Sequence, residues 1–353
     1  MEQELTPKPE PQPPKRGKWK KRIVIALCFL LALLLLTMGG VVIYINYLMS
    51  LMQRPQDTLH TAGTFDGPTQ ELTLPPEETV GPEVTDPTIE VTWPSETTPV
   101  VENDRVINIM LLGEDDKAGY YRGRTDAMIL VTINTKTKTI TLTSIMRDLF
   151  VQIPGWADNR INAAYVFGGI DLFEQTFTEN FGITLDGIVM VELEKFADVV
   201  DILGGVTMNL TEKEAGYLSA GMKWPHIRPG LNRLNGEEAL CYSRLREIDN
   251  DFVRTNRQRK VIEAIISEYK QQPMNRLLPL MQQILPLLST TMSNAEMFDY
   301  AFEMFPLLSG CTVNAIRLPV EGSYKGAIVS KMWVIVADME ANRKVLQDLQ
   351  ITE

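Results

Sequence analysis

The chain has 353 residues, three cysteines, two histidines and a formal net charge of −11. Two histidines, His60 and His226, argue against a His-ligated metal centre or a Ser-His-Asp triad, and the lack of a C-x-x-C spacing argues against structural zinc. The negative charge is concentrated: eleven Asp/Glu and no Lys or Arg lie between Pro55 and Asp104, so bulk nucleic-acid binding is not expected while a local basic pocket remains open.

Residues 1–22 form a basic tail, with seven Lys/Arg against Glu2, Glu4 and Glu10. From Ile23 to Ile45 the chain is apolar apart from Thr37, Gly39 and Gly40, which is long enough to span a hydrocarbon core. The run lacks an A-x-A cleavage pattern, so it reads as an uncleaved transmembrane anchor over 23–47. The positive-inside rule then places the N-terminus in the cytoplasm and everything after about residue 50 outside the cell membrane. Residues 48–103 read as a disordered extracytoplasmic linker, in which prolines alternate with Thr and acidic residues and no apolar period appears. Such a segment is expected to tether a domain away from the membrane, though an untuned spacer fits equally well.

Folded sequence is expected over 104–353. Val106 to Gly113 is a short apolar run ending in glycine, as a buried strand would be. Ala127 to Asn134 and Thr139 to Ile145 read as strands joined by a turn at Lys136-Thr137-Lys138. Ala163 to Phe181 is predicted helical, Ile188 to Leu193 a strand, and Glu194 to Leu203 a helix stopped by Gly204-Gly205. Val206 to Leu210 is extended; Gly236 to Arg244 and Asp251 to Lys270 are helical with a loop between. A C-terminal portion, 271–353, continues the core of 104–270 with helical stretches at Leu277 to Leu288 and Asn294 to Leu308. A strand near Val313 to Leu318 and a closing strand and helix from Met332 to Leu349 complete it. Alternating strands and helices predict an α/β fold, a layered α/β/α sandwich with a central mixed sheet.

Charge gathers where predicted strands end. Gly113-Glu114-Asp115-Asp116 follows the first strand, Arg124-Thr125-Asp126 precedes the second, and Arg147-Asp148 follows the third. Ligands collect at such ends in α/β sheets, and carboxylates on neighbouring ends suit a hard cation such as Mg²⁺. Each cluster alone reads as ordinary loop charge; three within about 35 residues weaken that reading. Arg244 and Arg246 alternate across Leu245 and so share a face if extended. Arg254 and Gln258 share one side of a helix that Asp249, Asn250 or Asp251 can cap, with Val261 and Ile265 further along it. A helix N-terminus flanked by guanidinium groups favours phosphate, although a solvated, salt-bridged helix face fits the same pattern.

These residues resemble the LytR-CpsA-Psr family. The matching pieces are Leu111-Leu112-Gly113-Glu114-Asp115, Arg124-Thr125-Asp126, Ser144-Ile145-Met146-Arg147-Asp148, Ile161-Asn162-Ala163-Ala164-Tyr165 with Gly168-Gly169, Leu203-Gly204-Gly205-Val206, Leu234 to Leu240, Tyr242 to Arg246, and Arg254 to Gln258. Met146 stands where the family often has Pro, Asp116 where it has a small or polar residue, and Arg160 where it commonly has Lys. The resemblance implies a phosphotransferase that moves a glycopolymer from an undecaprenyl-pyrophosphate carrier to peptidoglycan. It implies Mg²⁺ (or Mn²⁺) on Asp115 and Asp126, chemistry at Asp115, Asp126 and Arg147, and phosphate binding by Arg124, Arg160, Arg244, Arg246, Arg254 and Gln258. Expected partners are the lipid-linked glycopolymer, peptidoglycan and the bilayer, and no nucleic acid; Ala163 to Phe181 and Val189 to Val200 are candidate walls for the polyprenyl chain. The alternatives are a non-catalytic glycopolymer-binding module, a pyrophosphatase, and a membrane-bound transcriptional attenuator, whose short tail has no room for a helix-turn-helix. Whether Cys241 and Cys311 pair, and which glycopolymer is moved, stay open.

Overall fold

The computed structural model describes residues 40, 42–55, 91, 93, 99–115, 123–304 and 310–351. The chain divides into two compact units, 1–47 and 48–353. Among the described residues no helix is long and apolar enough to cross a membrane. Of the expected span, 23–47, only Gly40 and residues 42–47 are described and the rest lies outside. In that first unit the described residues are helical, with Val42, Ile43, Tyr44 and Tyr47 exposed.

The second unit is an α/β fold around a six-stranded mixed sheet. Strands β1 (Val106–Asp115), β2 (Arg124–Asn134) and β3 (Thr139–Ile145) run as an antiparallel meander. The β2–β3 turn falls where Lys136 to Lys138 predicts it, with Lys138 at φ 54. Further along the chain, β6 (Gly187–Glu192) lies parallel to β1 and β10 (Thr312–Leu318) parallel to β3, while β9 (Ser289–Thr290) closes the β6 edge. Short pairs flank this sheet: β4 (Phe150–Val151) with β5 (Asn159–Arg160), β7 (Val206–Leu210) with β8 (Gly230–Leu234), and β11 (Tyr324–Val329) with β12 (Met332–Ala337).

Period-2 alternation divides the central strands between two faces. Met110, Leu112, Met128 and Leu130 point to one face, where they meet Phe173, Phe177 and Phe181 of α1 (Ile161–Phe181) and Leu346 of α8 (Met339–Gln350). Helix α1 is broken at Gly168 and Gly169, which leave helical geometry. The opposite face is covered by α2 (Leu193–Leu203), α4 (Gly236–Arg244) and α5 (Asp251–Lys270), with the short α3 (Glu212–Gly216) beside β7. Gly204 stops α2 as expected, in the left-handed conformation at φ 87. Gly236 permits α2 and α4 to touch: a Cβ there would lie 2.1 Å from the Ala197 carbonyl oxygen. Two helices, α6 (Met274–Ile284) and α7 (Asn294–Met304), follow α5 toward the β9 edge.

Both ends of the expected linker are part of this body. Leu48, Met49 and Met52 are buried, and Gln53 pairs with Ser289 as a one-residue extension of the sheet. At the other end Trp93 stacks on Phe150 at 6.0 Å and donates its indole N–H to Asp158, and Val101 bridges Ile183. The linker reading of 48–103 is therefore corrected at both margins, because composition alone does not reveal that its few large apolar residues find partners in the domain. Residues 56–90 lie outside those described.

Candidate active site

The charged clusters converge because β1, β2 and β3 end together. Register between β1 and β2 shifts at Gly113/Glu114: Gly113 pairs with Ala127 but Glu114 with Thr125. Asp126 is thus the extra residue of a β-bulge. Strict alternation would send Asp126 with Met128 and Leu130 toward α1; the bulge instead turns it to the other face. There it joins Asp115 at the rim of a cavity of about 630 Å³ between the sheet and helices α2 and α5.

The cavity has a polar mouth and an apolar body. Asp115, Asp126, Arg244, Arg246, Glu247, Arg254 and Gln258 line the mouth. Val189 and Val191 of β6, Phe196 and Val199 of α2, and Ile262 and Ile265 of α5 line the body, together with Leu288. Of the two expected polyprenyl walls, the Val189 to Val200 stretch lines the cavity, whereas no residue of Ala163 to Phe181 does. Helix α1 packs on the far face of the sheet, so its apolar stripe is core.

Arg244 ends α4, Leu245 is extended at φ −61 and ψ 121, and Arg246 follows, so both guanidinium groups reach the mouth. Arg244 donates to Asp115 at 2.9 Å. Asn250 supplies the expected cap of α5, accepting the Val253 N–H at 3.2 Å. Asp251, in the first turn, accepts from Arg254 at 2.8 Å and lies 3.6 Å from Arg246. Burial, reinforced by the nearby Asp148 and Asp126 carboxylates and opposed by Arg147 and Arg246, pushes the Asp251 carboxyl up to about 6.

Three of the expected site arginines stand behind the mouth rather than in it. Arg147, 2% exposed, donates to Asp126 at 2.7 Å and lies 3.7 Å from Asp148, which accepts from Arg160 at 3.1 Å. An alternating chain Asp126–Arg147–Asp148–Arg160 therefore runs from the cavity to the start of α1. Arg124 is buried opposite Asp115 across the β1–β2 ladder and does not line the cavity.

Arg257 was given no role by the sequence, yet it fixes the loop that carries Arg244 and Arg246. Fully buried, it donates to Glu214 at 2.8 Å, to the Leu245 carbonyl at 2.7 Å and to both oxygens of Asp249. Burial pushes the Glu214 carboxyl up, but hydrogen bonds from Thr211 and Arg257 outweigh it and hold the group below its usual value. The only sequence signal was a charged residue one helical turn after Val253, which is indistinguishable from a solvated position.

Asp115 and Asp126 offer an oxygen-only donor set on adjacent strand ends, which suits a hard cation. Among the described residues no three His, Cys, Asp or Glu side chains gather around one point. The protein would thus supply two carboxylates and leave the remaining positions to water and phosphate oxygens, as Mg²⁺ is commonly held. Cys241 and Cys311 are both free thiols, and burial beside Glu247 and Glu237 pushes the Cys241 thiol up to about 11.

Residues 81–350 match the model of the LytR_cpsA_psr family. A polyisoprenyl-teichoic acid–peptidoglycan teichoic acid transferase TagU of Bacillus licheniformis is 39% identical over 173 residues, which cover 48% of this chain and 54% of that relative. The match thus spans about half the length of either protein. The TagU of Oceanobacillus iheyensis is 32% identical over 246 residues, covering 67% of this chain and 73% of the relative. Among solved structures, the LytR-CPS2A-psr family protein YwtF (TagT) with bound octaprenyl pyrophosphate lipid superposes with a TM-score of 0.55 at 27% identity, over 70% of this chain and 90% of that one.

Proposed function

Since the chain belongs to the LytR-CpsA-Psr family, we propose that it is an extracytoplasmic phosphotransferase. It moves a glycopolymer from a polyprenyl-pyrophosphate carrier to peptidoglycan, anchored in the cell membrane by residues 23–47 with the N-terminus inside. The observation that carries this reading is the shape of the cavity: an apolar body large enough for isoprene units, capped by arginines and two carboxylates. A relative of the same fold holds octaprenyl pyrophosphate, the ligand such a cavity would divide into tail and head.

In this reading the prenyl chain lies among Val189, Val199, Ile262 and Ile265, and the pyrophosphate sits at the mouth. Arg244, Arg246 and Arg254 take its oxygens, for which a guanidinium fork is matched in shape and charge, and Gln258 adds an amide. Mg²⁺ held by Asp115 and Asp126 would neutralise charge on the pyrophosphate. Transfer joins an acceptor oxygen to the sugar-bearing phosphorus and breaks its bond to the bridging oxygen, releasing polyprenyl phosphate. The hydroxyl proton leaves toward Asp126, which the buried Arg147 holds in place at 2.7 Å. Phosphoryl transfer asks mainly for such positioning and charge neutralisation.

The test is turnover of a polyprenyl-pyrophosphate sugar with and without Mg²⁺, alongside Asp126→Ala and Arg147→Ala. Loss of metal-dependent release in both folded variants, by roughly 100-fold or more, is expected. Tight lipid binding without turnover, in the presence of a wall acceptor, would reduce the protein to a binding module. Release without an acceptor would make it a pyrophosphatase.

A further inference from the structure

The folded domain starts before the proline-rich segment. Leu48, Met49 and Met52 are 0%, 6% and 8% exposed. The Gln53 N–H donates to the Leu288 carbonyl at 2.9 Å, and the Gln53 carbonyl accepts from Thr290 N–H at 3.0 Å. The Gln53 side chain donates to the Pro286 carbonyl at 3.0 Å, and Arg54 donates to Asn294 at 2.6 Å. These bonds seat residues 48–54 along the β9 edge. Ile45, the last residue of the apolar run, precedes Leu48 by three residues, a separation the chain spans with at most about 11 Å.

Leu288, whose carbonyl accepts from Gln53, also lines the cavity. The stretch that leads to it is lipid-like in composition. Between Leu277 and Leu288 eight of twelve residues are Leu, Ile or Met, and Leu278 is 43% exposed. From Tyr269 to Ala295 there is no acidic residue, while Lys270 and Arg276 are basic. In a chain of net charge −11 that 27-residue absence marks one surface fit for an anionic bilayer.

Resting on the membrane-anchored transferase reading, we infer that Leu48–Arg54 is a built-in dock that seats the α6–β9 edge on the bilayer surface. The apolar end of the cavity then opens against lipid. A prenyl chain passes from the membrane past Leu288 into the cavity without crossing water.

The experiment uses the full chain in phosphatidylglycerol vesicles, with its native cysteines replaced by serine. A fluorophore is placed at Leu278→Cys on α6 or, as a control on the opposite face of the sheet, at Asp171→Cys in α1. Brominated lipid should quench the Leu278 label several-fold more than the Asp171 label; equal quenching, or none at either position, overturns the seating. A flexible insertion of about 20 Gly/Ser residues between Tyr47 and Leu48 lowers the local concentration of the domain at the membrane. It should abolish that difference and slow turnover of a long-chain substrate in vesicles by about tenfold, with turnover of a water-soluble short-prenyl pyrophosphate unchanged. The same insertion between Gly67 and Pro68 should do neither; equal effects of the two insertions would restore the stalk and sink the dock. Absence of turnover on either substrate by the uninserted chain would refute the transferase reading alone, since quenching reports the seating separately.

Discussion

Replacing Arg257 with alanine tests whether the arginine pair at the cavity mouth is held from behind. Its guanidinium bridges Glu214 on α3, Asp249 in the loop and the carbonyl of Leu245, the residue between Arg244 and Arg246. Deleting it leaves a carboxylate 5% exposed without its cation, and removing one member of a buried pair costs about 3–5 kcal/mol. With a urea dependence near 3 kcal/mol per molar, that is a drop of about 1–1.7 M in the unfolding midpoint. Circular dichroism during urea titration reads it directly. Because the Leu245 bond anchors the loop, KM for a pyrophosphate substrate should rise as well, by about tenfold or more. The double variant Arg257→Met with Glu214→Gln removes both charges and should be more stable than Arg257→Ala, as expected when an unpaired buried charge is the cause. A midpoint change below about 0.3 M, under 1 kcal/mol at that slope, would mean that Arg257 is solvated and the reasoning fails.

Asp251 gives a pH signature. Its carboxyl is pushed up to about 6, above the unfolded value near 4, so its contribution to stability is fully present below about pH 4 and lost as pH rises through 6. Asp251→Asn should flatten the fall in thermal midpoint over that window; an unchanged profile would show that Asp251 is not the titrating group. Gly236→Ala places a Cβ against the Ala197 carbonyl and should destabilise by about 1–3 kcal/mol, seen as a lower melting temperature. An unshifted melt would mean that α2 and α4 separate freely. Ile265→Trp fills the apolar body and should raise KM for long prenyl chains by roughly tenfold while sparing short ones; equal effects on both would place the chain elsewhere.

Much of the scaffold was legible because its signals are local. The apolar runs at Val106 and Ala127 are bounded by glycine and charge, and Gly204 and Asn250 mark a helix end and a start by their own backbone chemistry. Six of the nine expected site residues indeed line one cavity. What stayed hidden depends on register and burial. The bulge that turns Asp126 is a property of the β1–β2 pairing, not of either strand. Arg257 and Gln258 are adjacent polar residues of one helix, and only the packed loop makes the first fully buried. Strands β8 and β11 escaped because Gly230 to Leu234 and Tyr324 to Val329 carry little alternation, with a glycine in each. Trp93 was overlooked because an isolated apolar residue beside a proline has no period to betray its partner, and Leu48 to Met52 because five residues are too few to show one.

Each arginine lining the mouth faces a carboxylate: Arg244 meets Asp115, and Arg246 and Arg254 meet Asp251. With Asp126 and Glu247 also among the lining residues, the mouth is close to electroneutral and casts little field into solvent, so it does not draw free phosphate from a distance. In the proposed function, entry of a pyrophosphate is an exchange reaction in which arginines trade carboxylate partners for phosphoryl oxygens. A small inorganic anion must drive that exchange alone, whereas a lipid-linked one brings the transfer energy of its hydrocarbon tail, about 25 cal/mol per Å² of surface taken out of water. In the proposed reading the resting charge pairs thus discriminate between the two, because only the lipid-linked anion brings the energy of its tail to the exchange.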